Sequence, residues 1–129
     1  MPSIELSCPV FPSEDPVKVE TAVKKIFPDA VVKIEDQKLT GTSSSLDYFR
    51  KEIRRQKILD ATRNILIRGK RGNVTRFFMN KQAAFVGQIS FCEEKMILGT
   101  IRVLIQDDQL DALIDNIAPE TVDGEEVLI

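Results

Sequence analysis

An α+β fold, with about five to six strands in an antiparallel or mixed sheet and helices on one face, is what this chain predicts, and three observations carry the prediction. Several short stretches alternate apolar and polar residues, the two-residue period of a strand with one buried side. Between them lie stretches with apolar residues at i, i+3, i+4 and i+7, the stripe of an amphipathic helix. Most connections are short, which favours hairpins over long crossovers. The expected order is β-α-β-β-α-β-β-β-α, without a repeated unit or a low-complexity tract.

Ile4, Leu6, Cys8 and Val10 alternate with Glu5, Ser7 and Pro9 and open the chain as a strand at or near an edge, because Pro9 cannot donate to a ladder. Asp15 and Pro16 read as the N-cap and first residue of a helix whose stripe is Val19, Ala22, Val23 and Ile26, stopped by Pro28. Val32 and Ile34 suggest a second strand, Gln37-Lys38 a turn, and Leu39 to Thr42 a third strand. Ser44 and Asp47 match a capping box that opens the longest helical segment, to about Arg68, with its second half either more deeply buried or kinked near Gln56. Gly69 and Gly72 bracket a turn, after which Val74 to Met79 and Phe85 to Phe91 read as strands. Glu93-Glu94-Lys95 makes another turn, Ile101 to Ile105 a last strand, and Asp108 caps a closing helix with the stripe Leu110, Leu113, Ile114 and Ile117. Residues 1–118 form a single domain on this reading, and 119–129 an acidic, poorly anchored tail.

Charge is sorted along the chain. Between Arg50 and Lys81, 32 residues carry eleven Lys or Arg and two acids, whereas the other 97 hold seven basic and eighteen acidic residues. The net charge of −2 therefore hides a strongly basic segment. Gathered on one face, such cations would bind a polyanion, since each neutralised phosphate releases condensed counterions. At 100° per residue from Leu46, Arg50, Arg54, Lys57 and Arg68 fall between roughly 20° and 80° of the helical wheel and line one edge, while Lys51 and Arg55 lie further round, on the side away from Leu46, Phe49 and Ile53. Few acids interleave with these bases, so their self-repulsion is a cost that an anionic partner would relieve. Arg68-Gly69-Lys70-Arg71-Gly72-Asn73 extends the patch into a turn, although cations and glycine also suit a helix C-terminus on stability grounds alone.

Histidine is absent, which removes the commonest general base and excludes serine-histidine and cysteine-histidine catalysis. The doublets Glu93-Glu94, Asp107-Asp108 and Glu125-Glu126 fall at expected turns, caps or tail, without the spacing of a calcium loop. Two isolated cysteines, Cys8 and Cys92, make no zinc site and read as reduced thiols. No enzyme, metal or cofactor is implied. The first residues lack a signal-peptide pattern and no apolar stretch approaches the roughly 18 residues that span a bilayer, so a soluble cytoplasmic protein is expected. Asn80-Lys81-Gln82 offers amides that could read base edges or simply make a turn, and of Phe77 and Phe78, which point to opposite sheet faces, one is core and the other is either covered by a helix, as Phe more often is, or open to base stacking.

The run Leu46 to Ala61, followed by Ile67-Arg68-Gly69, Gly72-Asn73 and Asn80-Lys81-Gln82-Ala83-Ala84-Phe85-Val86-Gly87, resembles a family of small uncharacterised archaeal proteins catalogued as RNA-binding. The resemblance runs from the first strand through about Ala118, including Pro12-Ser13-Glu14-Asp15-Pro16, and leaves out the acidic tail. It implies an archaeal cytoplasmic protein with a fold similar to the large-subunit ribosomal protein that grips 5S RNA. It supplies no catalytic residue. Residues and resemblance together lead to the expectation of a domain that binds structured RNA, largely by shape. Arg50, Arg54, Arg55, Lys57, Arg68, Lys70, Arg71, Arg76 and Lys81 would contact phosphates, and Asn80 and Gln82 would add hydrogen bonds. The alternative is an interaction module whose basic face docks an acidic protein or a second copy of the chain.

Overall fold

A computed structural model describes residues 2–92, 99–122 and 125–126, the residues at 122, 125 and 126 for backbone only. Strands β1 (Ser3–Pro9), β2 (Val31–Glu35), β3 (Lys38–Ser43), β4 (Lys70–Arg71), β5 (Val74–Asn80) and β6 (Thr100–Gln106) form one antiparallel sheet in the order β2-β3-β1-β6-β5-β4. Helices α1 (Pro16–Ile26), α2 (Asp47–Arg55), α3 (Leu59–Arg68), α4 (Lys81–Phe85) and α5 (Leu110–Ile117) complete the α+β architecture, with a small hairpin of β7 (Thr121–Val122) and β8 (Glu125–Glu126) beyond. The expected turn at Glu93-Glu94-Lys95 lies outside the described residues, as do the last three residues of the chain.

The two-residue period decides which sheet face the helices cover. Ile4, Leu6 and Cys8 of β1, Thr75, Phe77 and Met79 of β5, and Ile101, Val103 and Ile105 of β6 are buried, and their apolar members share one core with Val19, Val23 and Ile26 of α1, Phe49 and Ile53 of α2, and Leu110, Ile114 and Ile117 of α5. Each such side chain contributes about 1.5–3 kcal/mol on leaving water. Phe49 sits at the centre, its ring 6.3 Å from Phe27, 5.6 Å from Phe77 and 6.5 Å from Phe91. The residues between, Glu5 and Ser7, Arg76 and Phe78, Arg102 and Leu104, point to the opposite face and are exposed or half-buried.

Asp15 caps α1 by accepting from the Val17 N–H at 2.9 Å, with Pro16 next, as the sequence predicts. The β2–β3 turn lies one residue earlier than expected, at Asp36 and Gln37, whose φ of 50° and 62° match the twist-compatible type I′ turn. The capping expected from Ser44 goes elsewhere: Ser43 and Ser44 hydroxyls and the Ser44 N–H donate to Asp29, while the Ser45 hydroxyl accepts from Asp47 N–H at 3.3 Å. At α5 the oxygen that receives a backbone N–H is on Asp107, not Asp108, accepting from Gln109 at 2.7 Å.

β1 is not the edge strand that Pro9 suggested: it lies inside the sheet, paired with β3 on one side and β6 on the other, with Pro9 at its last position. Two further elements differ from expectation. The long helix is two, because Lys57 adopts a left-handed φ of 58°. Its N–H reaches Arg54 O at 3.1 Å and the Ile58 N–H reaches Ile53 O at 2.9 Å, the paired bonds of a Schellman stop with an apolar residue on each side. The strand expected over Phe85 to Phe91 is absent. Asn80 instead caps α4 by accepting from Ala83 N–H at 2.9 Å, and Phe91 alone bridges β5, opposite Met79.

Candidate nucleic-acid interface

The basic block is divided between the two layers, and most of its helical members reach acceptors in their own chain. Arg50 donates to Asp47 at 2.6 Å and to the Asn116 side chain. Arg54 donates to the carbonyls of Arg50 at 3.0 Å and Ile117 at 3.1 Å, so it satisfies acceptors that the end of α5 would otherwise leave open. Arg63, outside the expected set, does the same from α3: it reaches Asp115 at 2.8 Å and Ala118 O at 3.0 Å. Arg55 holds the buried carboxylate of Glu52, and the hydrogen bond and charge of Glu52 push the guanidinium pKa further up. Lys70 pairs with Asp111 of α5. Lys57 is exposed at the helix break. Gln56 is an internal staple as well, its amide donating to Ile89 O at 2.9 Å and accepting from Ile89 N–H at 2.8 Å.

Two residues of the polar triplet are likewise built into the fold. Asn80 is the α4 cap, and Gln82 is exposed. Lys81 is buried, its side chain 7% accessible, and its ammonium donates to Pro9 O at 2.7 Å and to Glu14 at 2.9 Å, 5.2 Å from the centre of the Phe11 ring. Burial pushes the Glu14 carboxyl up, but the Phe11 N–H and the Lys81 ammonium together outweigh it and hold the pKa below the ordinary carboxylate value. The neighbouring Cys8 thiol is pushed up to about 11, burial dominating the opposing pull of Lys81. Both cysteines are free thiols.

Arg68, Arg71 and Arg76 are brought together at the other side of the molecule, on and beside the sheet face that no described helix covers. α3 ends against β5, where the Arg76 N–H donates to Gly69 O at 3.2 Å. A Cβ on Gly69 would lie 2.0 Å from the Arg76 carbonyl oxygen, so only glycine permits this approach. Gly72, with φ of 62°, then makes the two-residue turn between β4 and β5. Arg71 donates to the carbonyls of Arg68 and Lys70, which holds it at the rim.

A concavity of about 400 Å³ results, with Arg68, Arg71, Arg76, Phe78, Arg102 and Leu104 in its wall. Phe77 is core; Phe78 is half-buried on the open face, with the Arg76 guanidinium 5.8 Å from its ring centre. Arg102 stands opposite Phe78 in the β5–β6 register and also lines two neighbouring concavities, one reaching Lys33, Lys38 and Thr40, the other Ser7, Phe11 and Lys38. Among the described residues, Arg68, Arg71, Arg76, Arg102 and Lys38 have no ion pair, while Lys33 pairs with Glu35 at 3.2 Å. Charge density along the chain does not single out Arg102, Lys33 and Lys38, because each is nearly alone on its strand. The signal that would have found Arg102 is its place between buried Ile101 and Val103.

Among the described residues, no group of three or more His, Cys, Asp or Glu could hold a metal ion, and no helix is long and apolar enough to cross a membrane. A family model described as RNA binding matches residues 3–107. The UPF0200/UPF0201 protein of Archaeoglobus fulgidus is 39% identical over 96% of this chain, which spans only 39% of that longer relative. The UPF0201 protein of Methanothermobacter thermautotrophicus is 37% identical over 98% of each chain. The crystal structure of the UPF0201 protein from Methanococcus jannaschii matches with a TM-score of 0.89 at 34% identity, covering 98% of this chain and 99% of that one. The match runs from β1 through β6, and the chain therefore belongs to that RNA-binding family and is a relative of the archaeal UPF0201 proteins.

Proposed function

We propose that the chain binds RNA through the open face of its sheet, with Arg68 and Arg71 at the rim and Arg76, Phe78 and Arg102 on the floor, and that it carries out no catalysis. One observation supports this above the others: four arginines line a single concavity without an acidic partner among the described residues. A guanidinium is planar, always charged and suited to bidentate phosphate contacts. Arg50, Arg54, Arg55, Lys70 and Lys81 serve the fold on this reading, so the phosphate-binding set is Arg68, Arg71 and Arg76 joined by Arg102 and Lys38, while Lys57 lies on the helix layer. The sequence suggests a likeness to the ribosomal protein that grips 5S RNA, and such a likeness of fold would not name a target.

Filter binding to a structured RNA at several salt concentrations tests the proposal. Log affinity is expected to fall linearly with log salt, and the double change Arg76→Ala with Arg102→Ala to flatten the slope by about 0.7–0.9 for each phosphate that is no longer neutralised. A double variant that binds as the parent does would remove the open face from consideration. Salt-sensitive self-association in sedimentation, with no RNA retained, would assign the face to an acidic protein or a second copy instead.

A further inference from the structure

The open face differs from a simple cationic surface in having an aromatic ring at the meeting point of its arginines. Phe78 is not a loose surface residue. Its strand is held by β6 on one side and by the 90–92 segment on the other, where Cys92 N–H donates to Phe78 O at 3.0 Å and Asn80 N–H to Ser90 O at 2.8 Å. The ring is therefore presented on a strand held from both sides and is half-buried, although the core beneath is already filled by Phe77 and Met79. We infer that this face takes unpaired RNA nucleotides in preference to an intact duplex, one base stacking on Phe78 while Arg76 and Arg102 hold the adjoining phosphates. The inference rests on the open face being the RNA surface.

The chemistry favours an unpaired strand for three reasons. An aromatic ring on a surface can be stacked only by a base freed from its own stack; inside an A-form helix both faces of every base are occupied. The Arg76 guanidinium already lies near the ring, so a base on Phe78 gains a cation beside its π system as well as one near its phosphate. The concavity around Phe78 is of the size that holds a small ligand, and two further hollows adjoin it at Arg102, the arrangement wanted by successive nucleotides of one strand. Of the polar side chains between the cations, Ser7 and Thr40 are short hydroxyls that accept or donate to any base edge, while Glu5 places a carboxylate in the hollow shared by Lys33, Lys38 and Arg102. Binding is accordingly tolerant of sequence.

The test is fluorescence anisotropy of the full chain with a labelled oligouridylate of about twelve nucleotides and with a hairpin duplex of equal length. The oligouridylate is expected to bind more tightly. Phe78→Leu keeps apolar bulk but loses the π face, and should weaken that binding by about tenfold or more, with the salt slope unchanged; Phe78→Tyr should restore it. Circular dichroism and thermal unfolding confirm that each variant is folded. The inference is overturned if the hairpin binds as tightly as the open strand, or if Phe78→Leu binds as the parent does; where the slope still depends on Arg76 and Arg102, RNA binding by the open face survives. If neither RNA binds with a salt dependence, both fall together.

Discussion

On the helix layer, Arg50, Arg54, Arg55 and Arg63 each reach an acceptor of their own chain, and most of these hydrogen bonds fasten α2 and α3 to α5. On the open sheet face, Arg76 and Arg102 stand beside a half-buried ring and make no ion pair among the described residues, although Glu5 shares a hollow with Arg102. The first group is dense in sequence and committed in space; the second is sparse in sequence and available. Density of charge along a chain thus measures something different from charge on a surface, because a helix with several arginines can spend them on its neighbours' carbonyl ends, whereas a sheet assembles cations from strands far apart in number.

Lys81 is where the contrast can be broken most forcefully. It belongs to the basic block by sequence, yet it is buried with Glu14 and Pro9 O. Lys81→Met removes one partner of a nearly buried pair and should lower unfolding free energy by about 3 kcal/mol in urea titration, leaving the salt slope of RNA binding as it was. A stable variant with a flattened slope would move Lys81 into the binding set. Arg54→Ala should follow at about 1–2 kcal/mol, since the carbonyls of Ile117 and Asn116 lose a charged donor. Hydrogen exchange should localise the loss to α5. Unchanged protection there would mean that Arg54 does not hold the helix.

Acid gives a smaller effect that sorts the same two layers. Glu14 and Asp29 are both held below their ordinary values of 4.5 and 3.8: burial raises each, but Lys81 and the Phe11 N–H in one case, and the Ser43 hydroxyl and Ser44 N–H in the other, outweigh it. A carboxyl whose folded pKa is depressed stabilises fully above its unfolded value and loses that contribution as pH falls through the folded one. Stability should therefore decline below about pH 4.5, and Glu14→Gln should make the decline shallower. A variant whose acid profile superimposes on the parent's would show that the Glu14–Lys81 ion pair is not formed in solution.

Much of the fold was legible because its signals are local. Ile4 to Cys8, Val74 to Met79 and Ile101 to Ile105 alternate cleanly, and Asp15-Pro16 announces α1. Gln56 was recognisable as the place where the helix changes, but the left-handed residue that ends α2 is Lys57, where glycine or asparagine would have been the readable stop. The stretch from Phe85 to Phe91 looks like a strand by composition; α4 is too short to show a helical period, and its cap on Asn80 was the better guide. Of the candidate site, Arg68, Arg71 and Arg76 were within reach, being neighbours in sequence and space. Arg102 was not, since its partners Phe78 and Ser7 are supplied by pairing with β5 and β1.

The least effect on folding is expected where the effect on binding is greatest. Arg76 and Arg102 are exposed and lie diagonally across adjacent strands, Arg76 opposite Leu104 and Arg102 opposite Phe78, so each feels the other's charge with no acid interposed by the pairing. Replacing both with alanine removes that repulsion together with some packing of their stems on Phe78 and Leu104, and the two contributions oppose each other. The net change in unfolding free energy should stay within about 0.5 kcal/mol of zero, and raising salt should shift it toward destabilisation of the variant, since screening weakens the like-charge term in the parent and leaves the packing loss in place. A loss as large as that for Arg54→Ala would reveal internal partners for the open-face arginines, and the two layers would then hold their cations in the same way.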